Sequence, residues 1–191
     1  MKRQIGMGLI FLWIVAVTIV MGRIGLLHNL SFFPDKNIIA HKSTGPLWTM
    51  THVLGKGCKC SDLVYKYLLK RGPSPDLVEN VILLGEVPEY RSGLEKRGFR
   101  VTERNPREIA SEKAVGVPFL LITSAKGEGV YAGGYASSMI EERTLLLDLK
   151  ILHSLRDGKN AAELPIFGCA VSQRMQKLID PLELKYKESS L

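Results

Sequence analysis

Cysteine is scarce, with three in 191 residues. That is fewer than an iron–sulfur cluster ordinarily takes. The four histidines do not join the cysteines at structural-zinc spacing. Gly-x-Ser-x-Gly, His-Glu-x-x-His and a phosphate loop are all missing, which removes the commonest hydrolase, zinc-protease and nucleotide readings. Lys and Arg outnumber Asp and Glu, giving a net charge of +7. They form no long run and no common nucleic-acid module, so the excess reads as solvated surface and no nucleic-acid partner is expected. There is no internal repeat and no low-complexity tract. What remains is 46% apolar and 24% charged, a globular composition in a length that suits one domain plus an appendage.

Charge is also missing from the N-terminal stretch. MKRQIGMGLIFLWIVAVTIVMG starts with Lys2 and Arg3, then carries no charge from Ile5 to Gly22. An apolar run of about 18 residues can cross a bilayer as a helix. A cleaved signal has a shorter apolar part, roughly 7–15 residues, closed by a small-x-small site. No good Ala-x-Ala site follows. The stretch therefore reads as a retained signal-anchor, a transmembrane helix over residues 5–27 behind a cytoplasmic tip at 1–4, with a buried core helix as the bland alternative. Lys2 and Arg3 favour that orientation, and Arg23 opposes it weakly. Residues 28–46 read as a linker. The rest is expected outside the cytoplasmic membrane, in the periplasm if the chain is bacterial. Cysteines in such an oxidising compartment usually pair or do redox work.

Beyond residue 46 the pattern alternates. LWTMTHVLG, from Leu47 to Gly55, is rich in β-formers. A helix is expected from Ser61 or Asp62, with Leu63, Val64, Tyr67 and Leu68 on one apolar face and a Lys70-Arg71-Gly72 stop. Strands follow at Leu77 to Glu86 and Phe99 to Arg104, with a short helix between them over Glu89 to Lys96. Asn105 and Pro106 open a helical turn through Lys113. Phe119 to Thr123 and Gly129 to Gly133 form a hairpin around Lys126 and Gly127. A long helix is expected from Ser138 to Arg156, acidic at its start and basic at its end. Strands alternating with helices argue for a parallel core, and the hairpin adds an antiparallel edge. The class is α/β, a mixed sheet with helices on both faces.

The chemistry-bearing residues sit at the first strand–helix junction. GKGCKCSD places Cys58 and Cys60 one residue apart ahead of a helix. Unpaired N–H groups and the positive end of the dipole favour thiolate there. Lys56 and Lys59 are expected to add positive potential. Residues two apart on a helix point about 200° from each other, whereas a disulfide needs Cβ atoms roughly 3.8 Å apart. Joining the two sulfurs requires Cys58 to lie off the helix, in a turn that Gly55 and Gly57 allow. Such a bond would be strained and easily reduced, or would not form. Cys169, in PIFGCAVSQRMQKLIDPL, precedes a short helix over Ala170 to Ile179. It is either a buried small hydrophobe or a candidate resolving thiol.

The order of elements, the cysteine pair at a strand–helix junction and GVP at Gly116 to Pro118 together resemble the thioredoxin-like superfamily. The resemblance covers residues 47–156, leaving 157–191 as a C-terminal extension with a short helix. It implies a cis Val117–Pro118 bond facing the thiols, with Val117 and Pro118 shaping the substrate-binding edge. It implies thiol–disulfide exchange on protein substrates, with Cys58 as the more exposed attacking thiol and Cys60, or else Cys169, resolving. The chain departs from the family in having Cys-x-Cys for Cys-x-x-Cys and Gly57 for the usual aromatic residue. No cofactor is expected. A Cu(I)-binding assembly factor and a redox-inert binding module on the same fold are the alternatives. His52, His41, His28 and His153 read as ordinary strand, linker and helix-end residues.

Overall fold

The computed structural model describes residues 2–28, 47–106, 116–180 and 186. The linker expected at 29–46 and most of the helical turn expected after Pro106 lie outside the described residues.

Helix α1 runs Lys2–His28. Its side chains are described from Gly6 to Gly22. Among the described residues no helix is long and apolar enough to cross a membrane.

The chain then builds β1 (Thr49–Gly55), α2 (Lys59–Arg71), β2 (Val78–Leu84), α3 (Pro88–Arg97) and β3 (Arg100–Arg104). Next come the two-residue β4 (Gly116–Val117), β5 (Phe119–Thr123) and β6 (Gly129–Gly133). Helix α4 (Asp148–Arg156), β7 (Cys169–Ala170) and α5 (Gln173–Ile179) complete it. Five strands form one sheet in the order β3-β2-β1-β5-β6. β1 and β3 lie parallel to β2, whereas β5 is antiparallel to both β1 and β6. This is a mixed sheet with a parallel core and an antiparallel hairpin edge. Every residue of β1 is buried, as a central strand covered on both faces should be. β4 and β7 pair separately as an antiparallel ribbon, with Gly116 opposite Ala170 and Val117 opposite Cys169.

Two expectations need correction. The helix expected over Ser138 to Arg156 starts only at Asp148. Thr144 interrupts it, because its hydroxyl accepts from Glu141 N–H at 2.8 Å. Leu147 N–H is meanwhile drawn back to the Tyr135 carbonyl at 2.9 Å. The irregular stretch lets Ile140 bury itself beside Cys60. The helix expected from Ala170 starts at Gln173, where the Ser172 hydroxyl caps Met175 N–H at 3.2 Å. Residues 169 and 170 are used as strand instead.

One buried ionic cluster ties α2 to β2 and α4. The Arg71 guanidinium forks onto Glu79, with Nη1 donating to Oε1 at 2.8 Å and Nη2 to Oε2 at 2.9 Å. Nη2 also reaches Asp148 Oδ2 at 3.2 Å, and Tyr67 donates to Asp148 Oδ1 at 2.8 Å. Both carboxylate side chains are fully buried. His52 stands beside them, 3.4 Å from Glu79 and 2.9 Å from the Tyr135 hydroxyl.

Candidate functional site

The site grows out of the β1–α2 junction. β1 ends at Gly55, where an added Cβ would come 2.6 Å from Val117 Cγ2. Its glycine is needed for this close approach rather than for a turn. The turn itself falls at Gly57, with φ +65°, a conformation that suits glycine. Cys58 is extended, φ −107° and ψ 112°, and acts as N-cap of α2 without a side-chain cap bond. Its carbonyl accepts the first helical bond, from Asp62 N–H at 3.0 Å. So Cys58 lies off the helix while Cys60 lies in its first turn.

The structure brings all the expected site residues together. The Val117–Pro118 bond is cis. In its thiol form Cys58 Sγ donates to the Val117 carbonyl at 3.5 Å. Cys169 lies opposite Val117 on β7, and the Cys169 and Cys60 thiols both bear on the ionisation of Cys58. Cys60 Sγ also lies 4.0 Å from Met139 Sδ and from the Ile140 carbonyl. All three cysteines are free thiols. The expectation that Cys58 is the more exposed thiol is wrong. Cys58 has 0% exposure against 8% for Cys60 and 7% for Cys169, because the 139–140 segment and β7 close over the junction.

The Cys58 thiol is held well below the usual thiol range, chiefly by the Cys169 thiol and next by Cys60, against the opposing effect of burial. The Ser61 N–H and hydroxyl add to this. Ser61 Oγ accepts from Gly55 N–H at 3.0 Å, which leaves its hydroxyl proton free for the sulfur. Lys56 and Lys59 are exposed, and the lowering comes from the thiols and Ser61 rather than from them. The Asp62 carboxyl is pushed up by burial and then by the charge on Cys58. Sequence reasoning missed Ser61. Its only signal was a hydroxyl in the first helical turn after the pair, where a backbone N–H is also unpaired.

A cavity of about 50 Å³ adjoins Cys169, lined by Gly55, Gly57, Val117 and Tyr186 among others. Among the described residues no group of three or more His, Cys, Asp or Glu is placed to hold a metal ion. His52 is fully buried and turned toward Glu79 and Tyr135, and His153 lies in the last turn of α4.

A mixed α/β sheet with helices, a thiol at the first strand–helix junction and a cis proline facing it fit a thioredoxin-like fold. No protein-family model matches the chain, and no curated protein matches it by sequence. Solved structures do. A hypothetical protein from Sinorhizobium meliloti aligns with a TM-score of 0.52 at 17% identity, over 75% of this chain and 91% of that one. An uncharacterized conserved protein from Geobacillus kaustophilus aligns at 0.50 and 16% identity, over 76% and 89%. The thioredoxin domain of a thiol-disulfide oxidoreductase from Bacteroides vulgatus aligns more loosely, at 0.37 and 13% identity over 46% and 69%.

Proposed function

We propose that the chain is a thiol–disulfide oxidoreductase that acts on protein substrates outside the cytoplasm, tethered by α1. The observation that carries this reading is the Cys58 sulfur, 3.5 Å from the Val117 carbonyl on the short strand that pairs Val117 with Cys169, and held below the usual thiol range chiefly by the other two thiols. The Cys58 thiolate attacks one sulfur of a substrate disulfide and expels the other as thiolate, which takes up a proton. Cys60 or Cys169, having lost its proton, then attacks the Cys58 sulfur of the mixed disulfide. The second substrate thiol leaves. The substrate gains two electrons, and two enzyme thiols become a disulfide that an external dithiol must reduce. Catalysed reduction of insulin by the full chain, with dithiothreitol as electron donor, tests the reading. The expected result is turbidity well ahead of the dithiothreitol control; a rate equal to that control contradicts it.

One observation favours an inert scaffold instead, namely the burial of all three thiols. Alkylation of every cysteine at the rate of a buried thiol near neutral pH, with no insulin reduction, would establish that alternative.

The tether rests on residues 5–22 being free of charge and on the exposed apolar side chains along α1. Phe11 is 70% and Trp13 68% exposed, a surface that water penalises and lipid accepts. The full chain expressed in bacteria should stay in the membrane pellet after alkaline carbonate extraction. Release into the supernatant would contradict the tether.

A further inference from the structure

We propose that residues 164–171 are a tethered pseudo-substrate, seated on the backbone edge that a substrate must use to reach Cys58. What the segment blocks rests on the thiol–disulfide reading; that it is seated there does not. β4 is only two residues long and, among the described residues, pairs with no strand but β7, which occupies its outer edge. Such an edge recruits an extended peptide by main-chain pairing. Cys58 Sγ lies against the Val117 carbonyl of that edge. A segment presenting a sulfur to Cys58 would therefore run alongside β4, and β7 already does. It places Cys169 opposite Val117, the residue whose carbonyl meets Cys58 Sγ.

The fit is specific. Gly134 N–H donates to the Leu164 carbonyl at 2.8 Å. A Cβ on Gly134 would collide with the Pro165 carbonyl, and one on Gly168 with the Val117 carbonyl. Both glycines let two backbones come closer than side chains permit. The outer face of the strap is held as well. Ala170 N–H donates to the Tyr186 hydroxyl at 3.0 Å, and its carbonyl accepts from Gln176 Nε2 at 2.9 Å. The cavity of about 50 Å³ left beside Cys169 is too small for a second peptide. Because Cys169 is a thiol, it offers Cys58 no sulfur–sulfur bond to cleave, so the block is non-covalent. The partner that relieves it is an extended, disulfide-bearing protein segment that displaces the strap.

The rate of iodoacetamide alkylation of each cysteine, mapped by mass spectrometry, tests this in the full reduced chain. Gly168→Ala drives the strap off Val117, and Tyr186→Phe removes one of its two outer holds on Ala170. Cys58 alkylation is expected to rise tenfold or more in Gly168→Ala and several-fold in Tyr186→Phe. A Cys58 rate within twofold of the unaltered chain in both would overturn the proposal. If Gly168→Ala fails to fold, an unchanged rate in Tyr186→Phe alone overturns it. Should Cys58 become accessible while insulin reduction stays at background, the seating of the strap over Cys58 stands, and the oxidoreductase reading fails together with the pseudo-substrate role.

Discussion

Replacing Cys58 with serine is expected to drop insulin reduction to the rate of dithiothreitol alone. The thiolate is the attacking species in exchange, and a serine hydroxyl stays protonated at neutral pH and forms no mixed disulfide. No neighbour can take over. Cys60 Sγ lies against Met139 and Ile140, whereas Cys58 Sγ meets the Val117 carbonyl. The double change Cys60→Ser with Cys169→Ser should behave differently. It keeps the attacking sulfur but has no thiol of its own to resolve, so once reduced and freed of dithiothreitol it should accumulate a mixed disulfide with insulin and turn over no further. Full activity in Cys58→Ser, or continued turnover without a trapped adduct in the double variant, would refute the assignment of roles.

Arg71→Ala should cost about 3–5 kcal/mol of stability, the usual penalty for removing one partner of a buried ionic cluster. The loss follows from what is left behind. Glu79 and Asp148 are fully buried carboxylates, and Arg71 binds Glu79 through two parallel bonds and reaches Asp148 with a third. For a chain of this size the change corresponds to a fall in Tm of roughly 6–20 °C. Lysine should rescue little, because it cannot reproduce the planar fork. Denaturant unfolding of the reduced protein measures the effect, and a loss under about 1 kcal/mol contradicts the account.

The same cluster gives the acid dependence a sign. Burial pushes the Glu79 carboxyl up, and His52 and Arg71 together pull it from 4.5 down to about 2. A carboxyl with a lowered folded pKa contributes stability that is complete above its unfolded value and lost as pH falls through the folded one. That contribution should therefore disappear between about pH 4.5 and 2, and Glu79→Gln should remove this part of the pH profile.

The framework of the fold was legible wherever local pattern sets local structure. The apolar face through Val64 and Leu68, the glycine stop at Gly72 and the hairpin around Gly127 all report short-range physics. The two-residue spacing of Cys58 and Cys60 put Cys58 off the helix only on condition that the two sulfurs join; the structure has Cys58 as the N-cap with both thiols free. What stayed hidden depends on contacts between distant residues. Nothing near Cys58 in sequence says that β7, more than a hundred residues later, covers it. The Arg71–Asp148 contact spans 77 positions. The missing helix over 138–147 is of the same kind, since helix propensity there yields to burying Ile140 beside Cys60 and to the pull of Tyr135 on Leu147. The lysines were overrated for a simpler reason: exposed ammonium groups are screened by water, whereas thiol donors in a closed site are not.

The claim on which the rest depends is that Cys58 is the shared sulfur of a three-thiol cluster. The most direct test equilibrates the full chain in dithiothreitol and then glutathione redox buffers, and maps the cysteine linkages at each potential. Every intramolecular disulfide that forms should contain Cys58, joined to Cys60 or Cys169. Three thiols surviving at potentials as oxidising as about −180 mV, or a Cys60–Cys169 bond that leaves Cys58 out, would contradict it.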